Sequence, residues 1–259
     1  MFVALLAFGS YLLLGSDATV EHNINTTAHE SVELLCSMNT SPASLQNLRF
    51  YWQDERKYVL YSFNEGKEMP EHINELYRDR ITTFPQEMIR GNISIRVKSI
   101  TLEDNKRVFE AFAEISDPRG IFQFRKICTI TLHVAVPYIN VSLAVNEETR
   151  TAVCSAQRGF PEPLVKWSLH FLSNNSQCLV ASSGVTTRAV QDPQDHLYSF
   201  SSTIGVQRGL YQSVTCFIHN PTLNVTLNAT RTLNKGEAQR SVPGRAVALT
   251  VAVVVLLAR

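Results

Sequence analysis

Cysteine is the residue type in this chain with the clearest chemistry, and the spacing of its copies favours disulfide bonds. The five cysteines are Cys36, Cys128, Cys154, Cys178 and Cys216. None of them forms the CxxC spacing of a redox or zinc site, so a disulfide role in an oxidising compartment is the better interpretation. Because the number is odd, at least one thiol is free or is paired outside the chain.

The sequence carries no other motif of catalysis, metal binding or nucleic-acid binding. The seven histidines show no HExxH or HxH spacing, and no GxSxG, GxGxxG or phosphate-binding loop sequence occurs. A formal net charge of +1, with 18% charged residues, gives no basic excess that would attract nucleic acid. We therefore expect a protein that is not an enzyme, with no catalytic residue, no metal site, no cofactor and no nucleic-acid partner.

Asparagine offers a second kind of chemistry, since Asn-x-Ser/Thr is the acceptor sequence for N-glycosylation. Asn220 is excluded because Pro221 follows it. Seven acceptor sequences remain, an indication of a glycosylated, extracellular surface. They begin at Asn25, Asn39, Asn92, Asn140, Asn174, Asn224 and Asn228.

Residues 1–18 have the composition of a secretory signal peptide. An apolar run at 2–14 is followed by Ser16, Asp17 and Ala18. Small residues three positions and one position before the cut suit signal peptidase, so we place the cleavage after Ala18.

Residues 246–258 form a second apolar segment, of thirteen residues, between Arg245 and Arg259. A membrane-spanning helix needs about 20 residues, with a lower limit of roughly 17, whereas a lipid-anchor signal needs about 10–20. Three interpretations stay open: a short or truncated transmembrane segment, a lipid-anchor signal, or a soluble secreted product. The first two place the chain on the cell membrane, facing outward as a single-pass type I or lipid-anchored protein.

Between these ends, short runs of alternating apolar and polar residues recur about every ten residues, which predicts half-buried strands and an all-β fold. The runs lie at 31–36, 49–53, 58–63, 93–100 and 128–134 in a first block, and at 151–155, 164–169, 196–203 and 213–218 in a second. Each block has the size of one immunoglobulin-type sandwich, near 100 residues. We predict domains at 19–134 and 137–233, followed by a stalk at 234–245.

The second block carries the stronger motif. Trp167 follows Cys154 by 13 residues, and Cys216 follows Cys154 by 62 residues. A Cys–Trp–Cys order of this kind is typical of an immunoglobulin sandwich, in which the cysteines join facing sheets and the indole packs against the disulfide. We predict a Cys154–Cys216 disulfide.

The first block has a similar but incomplete pattern. Trp52 follows Cys36 by 16 residues. Arg80 and Asp104 stand where variable-type immunoglobulin domains have an ion pair. The strand F cysteine is missing, because Ala111 or Glu110 stands near its place.

Cys128 lies further along the chain, in what should be strand G. Three interpretations stay open: Cys36 is a free buried thiol, Cys36 bonds to Cys128 across a rearranged sandwich, or a leftover thiol, with Cys178 the best candidate, reaches outside its domain.

These motifs together resemble the T-cell costimulatory ligands, over about residues 30–230. That family comprises the T-lymphocyte activation antigens and the ligand of the inducible costimulator, which are relatives of the butyrophilins. The second-domain matches are the more specific, because a generic immunoglobulin domain would not share them. The matching stretches are FYWQ at 50–53, YVL at 58–60, YRDR at 77–80 and RGNISIR at 90–96, then GFPEP at 159–163 with Trp167, and QDP at 191–193 before Leu197 and Tyr198.

The resemblance implies a membrane-distal variable-type domain on a membrane-proximal constant-type domain. Family members sit on antigen-presenting cells and bind immunoglobulin-type receptors on T cells through the exposed face of strands C, C′, F and G. We therefore predict a ligand for a costimulatory or coinhibitory T-cell receptor that regulates T-cell activation, with a homodimer as a further expectation. The alternative is a divergent adhesion, decoy or mimic protein on the same scaffold that does not activate the receptor.

Strand periodicity leads to the same face independently. If Trp52 points into the core, Tyr51 and Gln53 point outward, with Tyr61 and Phe63 expected further along the face on the next strand. Exposed aromatic side chains are typical of a binding patch, although some of them could cover a dimer contact or one another. The positions that match the family's receptor-binding residues are Tyr51, Gln53, Tyr58, Val59 and Tyr77.

Overall fold

The structure is a computed structural model that describes residues 20–116, 122–174, 176–207 and 209–233. Its first part contains β1 (Val20–Thr27), β2 (Val32–Leu34), β3 (Arg49–Asp54), β4 (Val59–Asn64), β5 (Lys67–Glu68), β6 (Ile81–Thr83), β7 (Ile95–Val97), β8 (Val108–Ser116) and β9 (Phe122–Ala135). Its second part contains β10 (Ile139–Asn146), β11 (Thr151–Gly159), β12 (Leu164–Phe171), β13 (Gln177–Leu179), β14 (Val185–Gln191), β15 (Tyr198–Gly205), β16 (Tyr211–Asn220) and β17 (Val225–Thr232). Helical turns in the connections are α1 (Pro85–Met88) and 3₁₀ turns at Leu45–Asn47, Pro70–His72, Glu75–Tyr77, Leu102–Asp104 and Ser182–Gly184.

The first sandwich packs a six-stranded sheet on a three-stranded sheet. The strand orders are β1-β9-β8-β3-β4-β5 and β2-β7-β6. Strand β1 runs parallel to β9, whereas the other neighbours are antiparallel. The strands follow the apolar alternation, so Phe50 and Trp52 on β3 and Phe109 and Ala111 on β8 are all buried in one core.

A disulfide joins the two sheets of the first sandwich at an unexpected strand. Cys36, just after β2, bonds to Cys128 on β9, with the Cα atoms 6.0 Å apart. The interpretation of Cys36 as a free buried thiol is therefore wrong. Ala111 on β8 lies directly opposite Cys128 and next to Trp52, at the place where the strand F cysteine was expected.

The predicted ion pair of the first sandwich is confirmed, because Arg80 Nη2 lies 2.7 Å from Asp104 Oδ2. Asp104 also accepts a hydrogen bond from the backbone N–H of Thr101 at 3.0 Å. The pair therefore ties the connection before β8 to the residues before β6.

The second sandwich packs two four-stranded sheets, with the orders β10-β11-β15-β14 and β13-β12-β16-β17. Cys154 on β11 bonds to Cys216 on β16. Trp167 on β12 is buried in the same core, and its indole Nε1–H donates to Ser202 Oγ at 2.9 Å. Cys178 on β13 is a half-buried free thiol.

Hydrogen bonds hold the connection between the two sandwiches in place. Ala135, the last residue of β9, pairs with Thr27, while Val136 bridges to Phe160. The buried amide of Asn220 donates to the carbonyl oxygens of Val136 at 3.3 Å and Phe160 at 3.0 Å. Asn220 is therefore a structural residue of the junction.

The all-β fold of two tandem immunoglobulin-like sandwiches, predicted from the sequence, is confirmed. Each of the nine predicted alternating runs contains or overlaps a strand. The predicted signal peptide at 1–18, the stalk at 234–245 and the apolar segment at 246–258 lie outside the described residues. Among the helices of the described residues, none has the length and apolar character needed to cross a membrane.

Replacing both Cys36 and Cys128 by alanine should lower the free energy of unfolding of the first sandwich by about 2–5 kcal/mol. The bond closes a loop with a sequence separation of 92, and long closed loops restrict the unfolded chain most. Denaturant titration followed by tryptophan fluorescence measures the change. The matched control is Cys178→Ala, which breaks no disulfide and should leave this transition in place; equal effects of the two changes would contradict the prediction.

Candidate functional site

The outer side of the six-stranded sheet presents three aromatic rings in contact, which we call the outer aromatic cluster: Tyr51, Phe112 and Phe124. The ring of Tyr51 stacks on Phe112 with centroids 5.1 Å apart and planes 9° apart, and it lies 5.5 Å from Phe124. Phe124 is 50% exposed, and the other two rings are half-buried. A contiguous apolar patch of this kind on a sheet face is a feature of protein-binding surfaces.

A β-bulge in β9 puts part of this cluster on the outer face. Ala111 pairs with Cys128 and Phe112 pairs with Lys126, so Ile127 is the extra residue. Strict alternation backward from the inward-facing Cys128 would send residues 126 and 124 inward. The bulge reverses that alternation, so Lys126 lies over the outer face, with its Nζ 6.0 Å from the Phe112 ring centroid.

Positive side chains surround a carboxylate on one side of the cluster. Glu110 accepts hydrogen bonds from Lys126 Nζ at 2.5 Å, Gln53 Nε2 at 3.3 Å and Lys57 Nζ at 3.4 Å. Burial alone would raise the pKa of Glu110, but the bonds from Lys126 and Gln53 outweigh it and hold the pKa below its ordinary value. Glu110 is therefore a carboxylate at neutral pH.

Carboxylates surround a positive side chain on the other side. The guanidinium of Arg49 donates to Glu114 at 2.7 Å and also bonds to Glu65. These bonds raise the pKa of Arg49. The cluster thus lies between two ionic groups of opposite composition.

A buried aspartate fixes the turn between β3 and β4 beside this face. The carboxylate of Asp54 has no exposed surface and accepts bonds from the backbone N–H groups of Arg56 and Tyr58, both at 2.9 Å. It also accepts from Arg56 Nη2 at 2.8 Å, Tyr77 Oη at 2.9 Å and Arg107 Nη1 at 3.0 Å. The turn that carries Arg56 and Tyr58 is therefore attached to the core through one side chain.

The ionisation of Asp54 follows from these contacts. Burial alone would raise the pKa of Asp54, but the hydrogen bonds from Arg56, Tyr58 and Tyr77 outweigh it and lower the pKa below its usual range. For Tyr77, burial and the bond to Asp54 raise the pKa of the phenol. Both groups therefore keep their donor and acceptor roles at neutral pH. No group of three His, Cys, Asp or Glu residues in the described part of the chain could hold a metal ion.

The fold agrees with that of known immunoglobulin-type proteins. The profile of the CD80-like C2-set immunoglobulin domain matches residues 136–226. Human ICOS ligand is 26% identical over 216 residues, covering 81% of this chain and 68% of its own length. Human T-lymphocyte activation antigen CD80 is 26% identical over 234 residues, covering 88% of this chain and 75% of its own length. The chain is thus similar to T-cell costimulatory ligands over most of its length, and its second sandwich matches a CD80-like C2-set immunoglobulin domain.

Another relative and two solved structures extend this comparison. The CD276 antigen homolog of Xenopus laevis is 22% identical over 195 residues. The match covers 73% of this chain and only 58% of the length of that relative. A chain of the crystal structure of ICOS in complex with ICOS-L and an anti ICOS-L VNAR domain matches with a TM-score of 0.60 and 25% identity, covering 83% of this chain and all of that one. Bovine butyrophilin shares the fold, with a TM-score of 0.62 and 17% identity. The match covers 85% of this chain and 97% of the butyrophilin chain.

Two of the five residues chosen from the costimulatory family pattern are buried and need correction. Tyr77 is 1% exposed, because its ring packs against Phe109 and its hydroxyl reaches Asp54. Gln53 is 8% exposed and supports Glu110. Neither side chain offers a surface to a partner, so both are withdrawn as direct contacts.

The remaining three residues lie on or beside the outer face. Tyr51 is at the centre of the outer aromatic cluster. Tyr58 is 39% exposed in the β3–β4 turn, with the Arg56 guanidinium 4.7 Å from its ring centroid. Val59 is half-buried and pairs with Gln53.

The prediction that Tyr61 and Phe63 extend the outer face is wrong. Their exposures are 4% and 8%, and both rings pack against Phe50 in the core. The register shifts in β4, so Tyr61 lies opposite the inward-facing Trp52. One unpaired residue thus reverses the alternation along the rest of β4, so that Tyr61 and Phe63 point inward.

Sequence reasoning missed Phe112, Phe124, Lys126 and Glu110. Alternation outward from the buried positions of β8 could have identified Phe112 and Glu110, since each follows or precedes an inward residue by one position. No local signal in the sequence indicates the bulge at Ile127. The outward positions of Phe124 and Lys126 therefore follow only from the pairing register of β8 and β9.

The glycosylation sequences lie away from the outer aromatic cluster. In the first sandwich they are Asn25 on the edge strand β1, and Asn39 and Asn92, which lie beside strands of the opposite sheet. Asn25 pairs with His133, which lies nine positions beyond Phe124 on β9, or roughly 30 Å along the strand. The sites of the second sandwich are Asn140, Asn174, Asn224 and Asn228.

Asp54→Asn should lower the free energy of unfolding at pH 7 by about 2–3 kcal/mol, because it leaves Arg56 and Arg107 without a carboxylate partner. Since the native pKa of Asp54 lies below its ordinary value, its contribution is complete above a pH of about 5 and is lost as the pH falls further. The difference between wild type and variant should therefore shrink between pH 5 and pH 2, as denaturant titrations at several pH values would measure. Asp79→Asn, at an exposed position of the same sandwich, is the control. A difference that stayed constant over this range would contradict the assignment.

Proposed function

We propose that this chain is a cell-surface ligand that binds an immunoglobulin-type costimulatory or coinhibitory receptor on T cells and regulates T-cell activation. The observation that carries the proposal is the outer aromatic cluster on the β3-β8-β9 face, in a chain whose relatives include ICOS ligand and CD80. A receptor would contact Tyr51, Phe112 and Phe124 at the centre. Tyr58 and Val59 would lie at the rim.

Glycan placement supports the use of this face. We infer that the seven acceptor asparagines are glycosylated during secretion. Five of them are exposed: Asn25, Asn39, Asn140, Asn174 and Asn224. No acceptor sequence falls between Asn92 and Asn140, the interval that includes β8 and β9, nor between Asn39 and Asn92, which includes β3 and β4. Carbohydrate would then cover other parts of the surface and leave the aromatic face open.

The proposal includes attachment to the cell membrane through the C-terminal apolar segment at 246–258, with both sandwiches outside the cell. A secreted form is the alternative. The relatives named as activation antigens and ligands support display to another cell, and the chain covers only part of their length.

Binding should be measured against a panel of T-cell costimulatory and coinhibitory receptor ectodomains, with Tyr51→Ala and Phe124→Ala beside the wild type. We expect at least a roughly tenfold loss of affinity in both variants for the receptor that binds, because aromatic residues at the centre of an interface dominate its energy. Leu179→Ala is the matched control, since Leu179 is 71% exposed but belongs to the second sandwich. Thermal unfolding of each variant checks that folding is retained.

The same measurement separates the proposal from the alternative of an adhesion, decoy or mimic protein. A receptor that binds but sends no signal when the chain is displayed on cells would favour a decoy or mimic. Absence of binding to every receptor by folded wild-type protein would favour adhesion and would end the proposal.

A further inference from the structure

Charged side chains on the outer face are separated by the outer aromatic cluster into two groups. On facing strands, Gln53 lies opposite Glu110 and Tyr51 lies opposite Phe112. The next outward positions belong to Arg49 and Glu114, which form an ion pair. Because outward residues are two apart along a strand, these three rows follow one another at roughly 6–7 Å, with the aromatic row in the middle.

The first group has an excess of positive charge. Two ammonium groups, Lys57 and Lys126, share the single carboxylate of Glu110. The lysine side chains are 67% and 40% exposed, whereas the glutamate is 13% exposed. An approaching molecule therefore meets positive charge on this side.

The second group has the opposite composition. Two carboxylates, Glu65 and Glu114, share the guanidinium of Arg49. Glu65 is 56% exposed, and it lies on the outer margin of the group. The charge that remains after pairing is negative.

Arg56 and Glu55 of the β3–β4 turn do not cancel this polarity, since each of them is already paired. The Arg56 guanidinium is bound to Asp54. Glu55 accepts from the backbone N–H of Val108 at 3.0 Å and lies 3.9 Å from Arg107. These charges are compensated by each other, which leaves the imbalance of the two groups on the outer face.

We propose that this polarity selects and orients the partner: the receptor surface that covers the aromatic cluster carries a carboxylate facing Lys57 and Lys126 and a basic side chain facing Glu65 and Glu114. This proposal rests on the function proposed above and specifies the charge pattern of its partner. Complementary charge at the rim of an interface acts on the association rate and on the choice of partner more than on the final affinity. A partner with the reversed pattern meets like charges on both sides and is rejected.

The test compares two opposite charge reversals, Lys57→Glu and Glu65→Lys, in the full chain captured on a sensor by an antibody to its second domain. The analyte is the receptor ectodomain that binds wild type in the panel. Both variants should associate more slowly, by about three- to tenfold at low salt, and the double variant more slowly still. The differences should shrink in about 0.5 M salt, where screening acts over a few ångströms. Lys98→Glu, an exposed lysine near the opposite sheet, is the control and should change the rate little.

The two reversals change the net charge in opposite directions, which makes the result decisive. If one accelerates and the other slows association, only net charge acts, and the polarity proposal is overturned. If Tyr51→Ala loses binding while both reversals leave the rate unchanged, the polarity proposal fails and the proposed function stands.

Two further outcomes would also overturn it. If the reversals disrupt a dimer of the chain, seen by sedimentation, and leave receptor association unchanged, a second copy is the occupant of the face. If wild type binds no receptor, both proposals fall together.

Discussion

Strand β9 has to contribute to both sides of the six-stranded sheet within five residues. Cys128 must point inward, because its sulfur is bonded to Cys36 across the sandwich. Phe124 and Lys126 lie four and two positions earlier, and they contact Tyr51 and Phe112 on the outer face. Alternation of side chains would put all three on the same side, and the extra residue, Ile127, removes that conflict. The covalent link of the core and the composition of the outer face therefore depend on one bulge.

Moving the disulfide from strand F to strand G changes which strands are constrained, but it keeps the two sheets joined. Ala111, opposite Cys128 and beside Trp52, fills the former cysteine position with a small apolar side chain and no exposed surface. Strand β8 is then held by packing and by the backbone ladder on both sides. Its outward residues, Glu110 and Phe112, remain between β3 and β9, where both neighbours supply contacts.

Sequence alone predicted the architecture because alternation, strand spacing and the cysteine–tryptophan order are local properties that an immunoglobulin sandwich imposes repeatedly. The outer face was predicted only in part, since its composition depends on register. One unpaired residue in β4 turned Tyr61 and Phe63 inward, and one in β9 turned Phe124 outward. Tyr77 was misplaced for a different reason: its burial depends on a hydrogen bond to Asp54, a contact 23 residues away in sequence. Only the tertiary structure brings those two groups together.

An exposed aromatic cluster would be costly in a free chain if each ring stood alone in water. Here Tyr51 covers one face of Phe112 and contacts Phe124, while the ammonium of Lys126 lies over Phe112. Ring stacking and the cation reduce the apolar surface left to water and restrict the rotamers of all three side chains. The flanking ion pairs hold Arg49, Glu114 and Glu110 in place as well. A face organised before contact loses little conformational entropy on binding, so more of its contact energy is available for affinity.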